Sequence, residues 1–225
     1  MRRPDHIHIL VMVAFIISSF LVIAVAAFWG TRLLVSRQNQ PIAQPTDLGI
    51  AGFPMSGNPA PDFRLTDQFG HVVTLSSLRG QEIVLAFIDS RCTSICPLTA
   101  KIMYDAKAEL GTAASTKVAL VAINANPSAT SVTAVQDWSI NHGMLHQWLF
   151  LTGSAEQLQA VYRSYQIYDQ VGSNGQVIHD PAMLIIDAQG HERLYFETLD
   201  SNNPDDIHSQ EIGLVAGMRQ WLPAS

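Results

Sequence analysis

Six consecutive apolar residues, Ile83-Val84-Leu85-Ala86-Phe87-Ile88, are followed after a short loop by Pro97 and a segment with helical spacing. A continuous apolar run of this length has the signature of a strand covered on both faces, and crossover helices supply such cover. Pro97 suits the start of a helix whose apolar residues Leu98, Ile102, Met103, Ala106 and Leu110 share one side, and Gly111 ends it. The alternation then repeats. Val118 to Ile123 reads as a second buried strand, Val132, Val135 and Trp138 as a helix, and Trp148 to Leu151 as a short strand. Leu158, Val161, Tyr162 and Tyr165 mark another amphipathic helix. Met183 to Asp187 and Arg193 to Phe196 form a hairpin about Ala188-Gln189-Gly190, and a helix from Ile207 to Leu222 closes the chain. An earlier hairpin flanks Asp67-Gln68-Phe69-Gly70. Together these predict an α/β domain with a largely parallel centre and an antiparallel edge hairpin.

The N-terminal part is of another kind. From Ile9 to Trp29 the polar residues are Ser18 and Ser19, which gives the roughly 20 apolar residues that cross a bilayer as a helix. Arg2 and Arg3 precede the run and favour a cytoplasmic N-terminus with the remainder exported. Ala24-Val25-Ala26 resembles a signal-peptidase site, but the stretch exceeds the usual 7–15-residue signal core, so an uncleaved anchor is expected. Pro41, Pro45, Pro54, Pro59 and Pro61 then punctuate a polar stretch that reads as a tether. The expected organisation is a cytoplasmic N-terminus over 1–8, a transmembrane anchor over 9–29, a Pro-rich tether over 30–57 and a globular domain over 58–225. The formal net charge of -6 and the lack of a basic stripe argue against nucleic-acid binding.

The chain's two cysteines stand together in Arg91-Cys92-Thr93-Ser94-Ile95-Cys96-Pro97, where strand gives way to helix. Cys96 is placed at or near the N-cap, among backbone N–H groups without acceptors, and Cys92 one turn earlier. A helix N-terminus and the neighbouring Arg91 both favour a thiolate, which is the nucleophile and the metal ligand. Export makes a structural disulfide a serious rival. A disulfide closing so short a loop, however, restrains little unfolded-chain entropy. Redox chemistry and metal binding both remain open from the sulfurs alone.

Val177-Ile178-His179-Asp180-Pro181 stands directly before the strand Met183 to Asp187. In a parallel-centred sheet that loop can lie beside the cysteine loop, making His179 a third ligand. Two thiolates and an imidazole suit Cu(I), with zinc the usual competitor. A lone loop histidine is more commonly a surface residue, so the spacing does not decide the matter.

The strand, the Cys-x-x-x-Cys-Pro turn, the helix, and a His eight residues before an Asp in an aliphatic strand resemble the Sco/SenC family. The likeness covers roughly Asn58 to Leu222 and extends to the anchor and tether. It implies a thioredoxin-like α/β fold with an N-terminal transmembrane helix. It also implies copper bound by Cys92, Cys96 and His179 for delivery to the CuA centre of a cytochrome c oxidase subunit. The globular domain would then lie on the extracytoplasmic (periplasmic) side. Two departures stand out: Thr93-Ser94 occupies a loop where the family commonly carries an acid, and Asn124-Ala125-Asn126-Pro127-Ser128 replaces an acidic Asp-Pro segment. Both lower the negative charge near the site.

The same residues support an alternative, a thiol–disulfide oxidoreductase in which Cys92 and Cys96 form a redox pair acting on partner cysteines. A redox or copper sensor would use them too. Peroxidase activity is not expected, because Asp89 stands where the related peroxiredoxin signature has proline. Pro181 resembles the cis-proline of thioredoxin-type folds, where the Asp180 carbonyl would help form a docking groove. His142 and His146 are read as a solvated helix end, His6 and His8 as interfacial, and Tyr165 and Tyr168 as packing residues.

Overall fold

The computed structural model describes residues 52–171 and 177–224. The predicted span 9–29 lies outside them, as do the N-terminus and most of the tether. Among the described residues no helix is long and apolar enough to cross a membrane.

The two continuous apolar runs make the centre of the sheet. Strands β4 (Glu82–Ile88) and β5 (Val118–Asn124) pair in parallel along their whole length, and β6 (Leu149–Leu151) extends them in parallel. On the other side of β4 lies β9 (Ala182–Ile186), which pairs with it antiparallel from Ile83↔Ile186 to Ala86↔Met183. Strand β10 (Glu192–Glu197) follows β9 through a tight turn at Gly190, whose positive φ of 87° a side-chain-bearing residue would resist. Strand β1 (Phe53–Pro54) completes the order β1-β10-β9-β4-β5-β6. The predicted hairpin is therefore not confined to the edge. Its first strand lies against the central one, so the parallel part is limited to β4, β5 and β6.

Helices cover both faces. Helix α1 (Ile95–Glu109), a short turn α2 (Thr112–Ser115), α3 (Val132–Asn141), α4 (Ala155–Ser164) and the C-terminal α5 (Pro204–Trp221) occupy the connections. Along β4 the side chains alternate. Val84, Ala86 and Ile88 join Ile102, Met103, Trp138, Leu214 and Met218 on one side. Ile83, Leu85 and Phe87 join Phe63, Leu65, Leu158 and Tyr162 on the other. Each fully buried large apolar side chain contributes about 1.5–3 kcal/mol. Gly217 lets α5 lie tight on the sheet, since a Cβ there would stand 2.9 Å from Ile185, Leu194 and Phe196.

Some elements were not foreseen. Strand β1 falls inside the stretch read as tether and pairs Phe53 with Tyr195. The expected first hairpin is present as β2 (Arg64–Thr66) and β3 (Val72–Thr74). A second one pairs β7 (Asp169–Val171) with β8 (Val177–His179), in a segment with no alternation strong enough to announce it.

Candidate functional site

The cysteine turn begins where β4 ends. Helix α1 starts at Ile95, two residues before Pro97, so Cys96 is its second residue rather than its N-cap. Pro97 is tolerated there because first-turn N–H groups have no acceptor within the helix. Ser94, at the N-cap, makes no capping hydrogen bond; its hydroxyl lies 3.7 Å from the Cys92 sulfur. The Cys96 N–H instead donates to the Cys92 sulfur at 3.4 Å. That sulfur caps the helix, in the place a serine or aspartate oxygen ordinarily takes.

Both cysteines are free thiols, and they differ sharply. Cys92 is half-buried, and hydrogen bonding from the Cys96 thiol, with further help from the Cys96 and Ser94 backbone, brings its pKa down to about 5. Cys96 is 1% exposed. Its hydrogen bond to Cys92 and its burial push its own thiol well above the ordinary range. One sulfur is a ready thiolate and the other holds its proton. Arg91, expected to help, is turned away: its guanidinium donates to the Ser128 carbonyl at 3.4 Å.

His179 reaches this site through topology. Because β9 runs antiparallel to β4, its beginning lies beside the end of β4, where the cysteine turn starts. A parallel neighbour would have carried His179 to the opposite edge, so the expected proximity arises from a different pairing. Two further links hold the segment in place. Thr198 N–H donates to the Pro181 carbonyl at 2.9 Å, and Thr99 of α1 donates to the Thr198 hydroxyl at 2.9 Å. The half-buried His179 ring contacts the Asp180 carbonyl through Nδ1 at 2.9 Å. A carbonyl only accepts, so Nδ1 carries the proton and Nε2 of the neutral ring presents a lone pair. Nε2 lies 3.8 Å from the Cys96 sulfur.

Pro181 is trans, since no cis peptide bond occurs among the described residues. The chain passes there from β8 directly into β9, an extended path that a trans bond fits. The Asp180 carbonyl accepts from His179 Nδ1. Among the described residues no three His, Cys, Asp or Glu side chains are drawn into a ready-made metal cage. Cys96 and His179 are in contact, and the Cys92 sulfur rests on the Cys96 amide.

The turn has a polar support that the sequence reading missed. Buried Asp89 accepts from the Arg91 N–H at 2.8 Å and from the Asn126 side chain at 2.9 Å, while its carbonyl accepts from the Cys92 N–H at 3.0 Å. Asn124 accepts from the Ser90 N–H at 3.4 Å and donates to the Ala129 carbonyl at 2.7 Å. Trp138 donates its indole N–H to the Cys92 carbonyl at 3.3 Å. A carboxylate directly after an unbroken apolar strand was the available signal for Asp89. His142 is exposed at the C-cap of α3, as expected, and its ring also stacks on Trp138 with centroids 3.9 Å apart. His146 stacks on Phe69, Tyr165 is buried with its hydroxyl on the Pro61 carbonyl, and Tyr168 is exposed.

The SCO1/SenC family model matches residues 56–212. Protein SCO2 homolog, mitochondrial, of Bos taurus is 32% identical over 142 residues, covering 57% of this chain and 50% of that protein. The chain thus spans half the length of that relative. The copper-bound structure of Arabidopsis thaliana ScoI superposes with a TM-score of 0.62 at 24% identity, covering 73% of this chain and 100% of that one. BsSco, a member of the Sco family of cytochrome c oxidase assembly proteins in which a disulfide switch was identified, gives 0.55 at 21% identity, covering 69% and 95%. At these identities the structural likeness establishes the mixed α/β thioredoxin-like fold.

Proposed function

The chain belongs to the SCO1/SenC family, and from that premise we propose that it is a copper chaperone holding the ion between Cys92, Cys96 and His179. The observation that carries this reading is the 3.8 Å separation of the Cys96 sulfur and His179 Nε2. With metal–sulfur bonds of about 2.3 Å and metal–nitrogen bonds of about 2.0–2.1 Å, as zinc makes to these donors, an angle of roughly 120° puts the two atoms ~3.8 Å apart. That is the spacing of two corners of a three-coordinate site. The Asp180 carbonyl fixes the ring tautomer so that Nε2 faces the sulfur, an orienting contact typical of metal-bound imidazoles. Cys92, already a thiolate near neutral pH, supplies the third donor on leaving the Cys96 amide.

Copper is the cargo, to be passed by ligand exchange to the CuA site of a cytochrome c oxidase subunit. The copper-bound Arabidopsis relative and the oxidase-assembly role of BsSco support that assignment. Anchoring through 9–29, with the domain on the extracytoplasmic side, rests on the length of the apolar run and the leading arginines. Copper transfer from the reduced full-length chain to an apo CuA domain tests the proposal. Stoichiometric transfer is expected, and retention of copper by the donor, or failure to load it, overturns the role.

A second reading has its own support in the unequal thiols. A half-buried thiolate before a buried, protonated partner is the arrangement of a disulfide-exchange pair: Cys92 attacks a partner disulfide and Cys96 resolves the mixed disulfide. This use needs the cysteines and not His179. Oxidation of the pair removes both sulfur donors, so redox state would gate metal loading.

A further inference from the structure

The Cys92 sulfur can cap α1 only while the peptide that carries it stays in place. Its N–H is held by the Asp89 carbonyl, within its own turn. Its carbonyl is held from a different element, by the indole N–H of Trp138 on α3. We infer that Trp138 is a positioning residue for Cys92, clamping the cysteine peptide to α3 and keeping the sulfur on the helix amide. This deepens the reading of the site given above, on which it rests.

The indole is itself clamped. On the solvent side the exposed His142 ring stacks on it at 3.9 Å, with Nδ1 donating back to the Trp138 carbonyl at 2.8 Å. On the inner side Trp148 stacks on it at 5.5 Å and Phe150 meets its edge at 5.7 Å. A ring gripped on both faces has little freedom to turn its N–H away, and stacked or edge contacts of this kind each add about 0.5–1.5 kcal/mol beyond area burial. Core packing alone would explain the ring but not the direction of its single polar atom. Trp148 offers the contrast: it is equally buried and belongs to the same cluster, yet its N–H goes to the Ser139 hydroxyl at 3.0 Å and has no link to the cysteines.

The clamp favours the dithiol form. Without it the sulfur leaves the Cys96 amide, the thiolate loses a hydrogen bond, and the disulfide gains relative to the dithiol. The couple can be read against glutathione, one oxidised glutathione being consumed and two reduced glutathiones released per Cys92–Cys96 disulfide formed. In the full-length chain, Trp138→Phe keeps the ring and deletes the N–H. One hydrogen bond of about 1 kcal/mol corresponds to ~5-fold, so Trp138→Phe should shift the equilibrium about 5-fold toward disulfide. Trp148→Phe, which keeps an aromatic ring against the Trp138 indole and removes only a hydrogen bond to Ser139, should lose comparable thermal stability and leave the equilibrium within about 2-fold. His142→Ala, a surface change that loosens the outer grip, should move it in the same direction by a smaller factor, and it carries the test if Trp138→Phe does not fold. An unmoved equilibrium in Trp138→Phe and His142→Ala, or an equal shift in Trp148→Phe, overturns the inference. Copper affinity measured on the same proteins separates the two claims. Absence of copper binding in the unaltered chain would sink the chaperone reading while the glutathione measurement still decides the role of Trp138.

Discussion

The imidazole Nε2 of His179 and the sulfur of Cys96 lie 3.8 Å apart although 83 positions separate them in the chain. The antiparallel entry of β9 beside β4 makes the contact, and the Thr99–Thr198–Pro181 links keep it. This pairing of a buried sulfur with an oriented nitrogen turns a two-thiol motif into a candidate three-donor site.

Removing the imidazole should separate metal binding from thiol chemistry. His179→Ala is expected to weaken copper binding by more than the ~10–100-fold that loss of an outer-shell partner costs. Reduction of a model disulfide by the same variant should proceed at the unaltered rate. Competition titration against a copper chelator, beside a disulfide-reduction assay, checks both parts.

The two thiols should react on different schedules. Cys92, with its pKa near 5, should be alkylated by iodoacetamide at a rate that is half-maximal near pH 5 and flat around neutrality. Cys96, buried and holding its proton, should remain unlabelled in the folded chain. In Cys96→Ala the thiol hydrogen bond to Cys92 is lost, and the half-maximal pH should move upward. Mass mapping of alkylated peptides across a pH series reads this out.

At the other end of β4, Glu82 is fully buried and neither side-chain oxygen has a hydrogen-bond partner among the described residues. Burial, with a further push from the Asp187 carboxylate, raises its pKa from 4.5 to about 8. Between those values the folded state holds a proton that the unfolded state has released, so stability should fall as pH rises through that window. Glu82→Gln should flatten this dependence and leave stability near pH 4 little changed. Denaturant titrations from pH 4 to pH 9 check the slope.

Gly217 offers a test of packing away from the site. A methyl group there meets Ile185, Leu194 and Phe196 at 2.9 Å. Gly217→Ala should cost about 1–3 kcal/mol and lower the melting temperature while copper stoichiometry stays unchanged.

How far the sequence reaches is visible in particular residues. The apolar runs at Ile83 and Val118 announce the central strands because burial on both faces leaves no polar interruption. Pro97 marks the helix start to within two residues. Which neighbour β9 takes is invisible locally, since strand direction is set by the path of the whole chain. The expected nearness of His179 to the cysteines is met, through the antiparallel pairing of β9 with β4. Pro181 shows the same limit, its trans bond being fixed by the run of β8 into β9. Asp89 has a local signal, a carboxylate directly after an apolar strand, but its contact with Asn126 and that of Trp138 with Cys92 join segments far apart in the chain, and nothing in their spacing reveals them.

In the proposed copper site, Cys92, Cys96 and His179 act together and the redox state of the sulfurs gates loading. Copper stoichiometry of the full-length chain, measured by equilibrium dialysis in the dithiol and disulfide states, tests it most directly. One copper per reduced chain is expected, and none when the disulfide is formed. Equal copper binding in both states, or none in the reduced state, would contradict it.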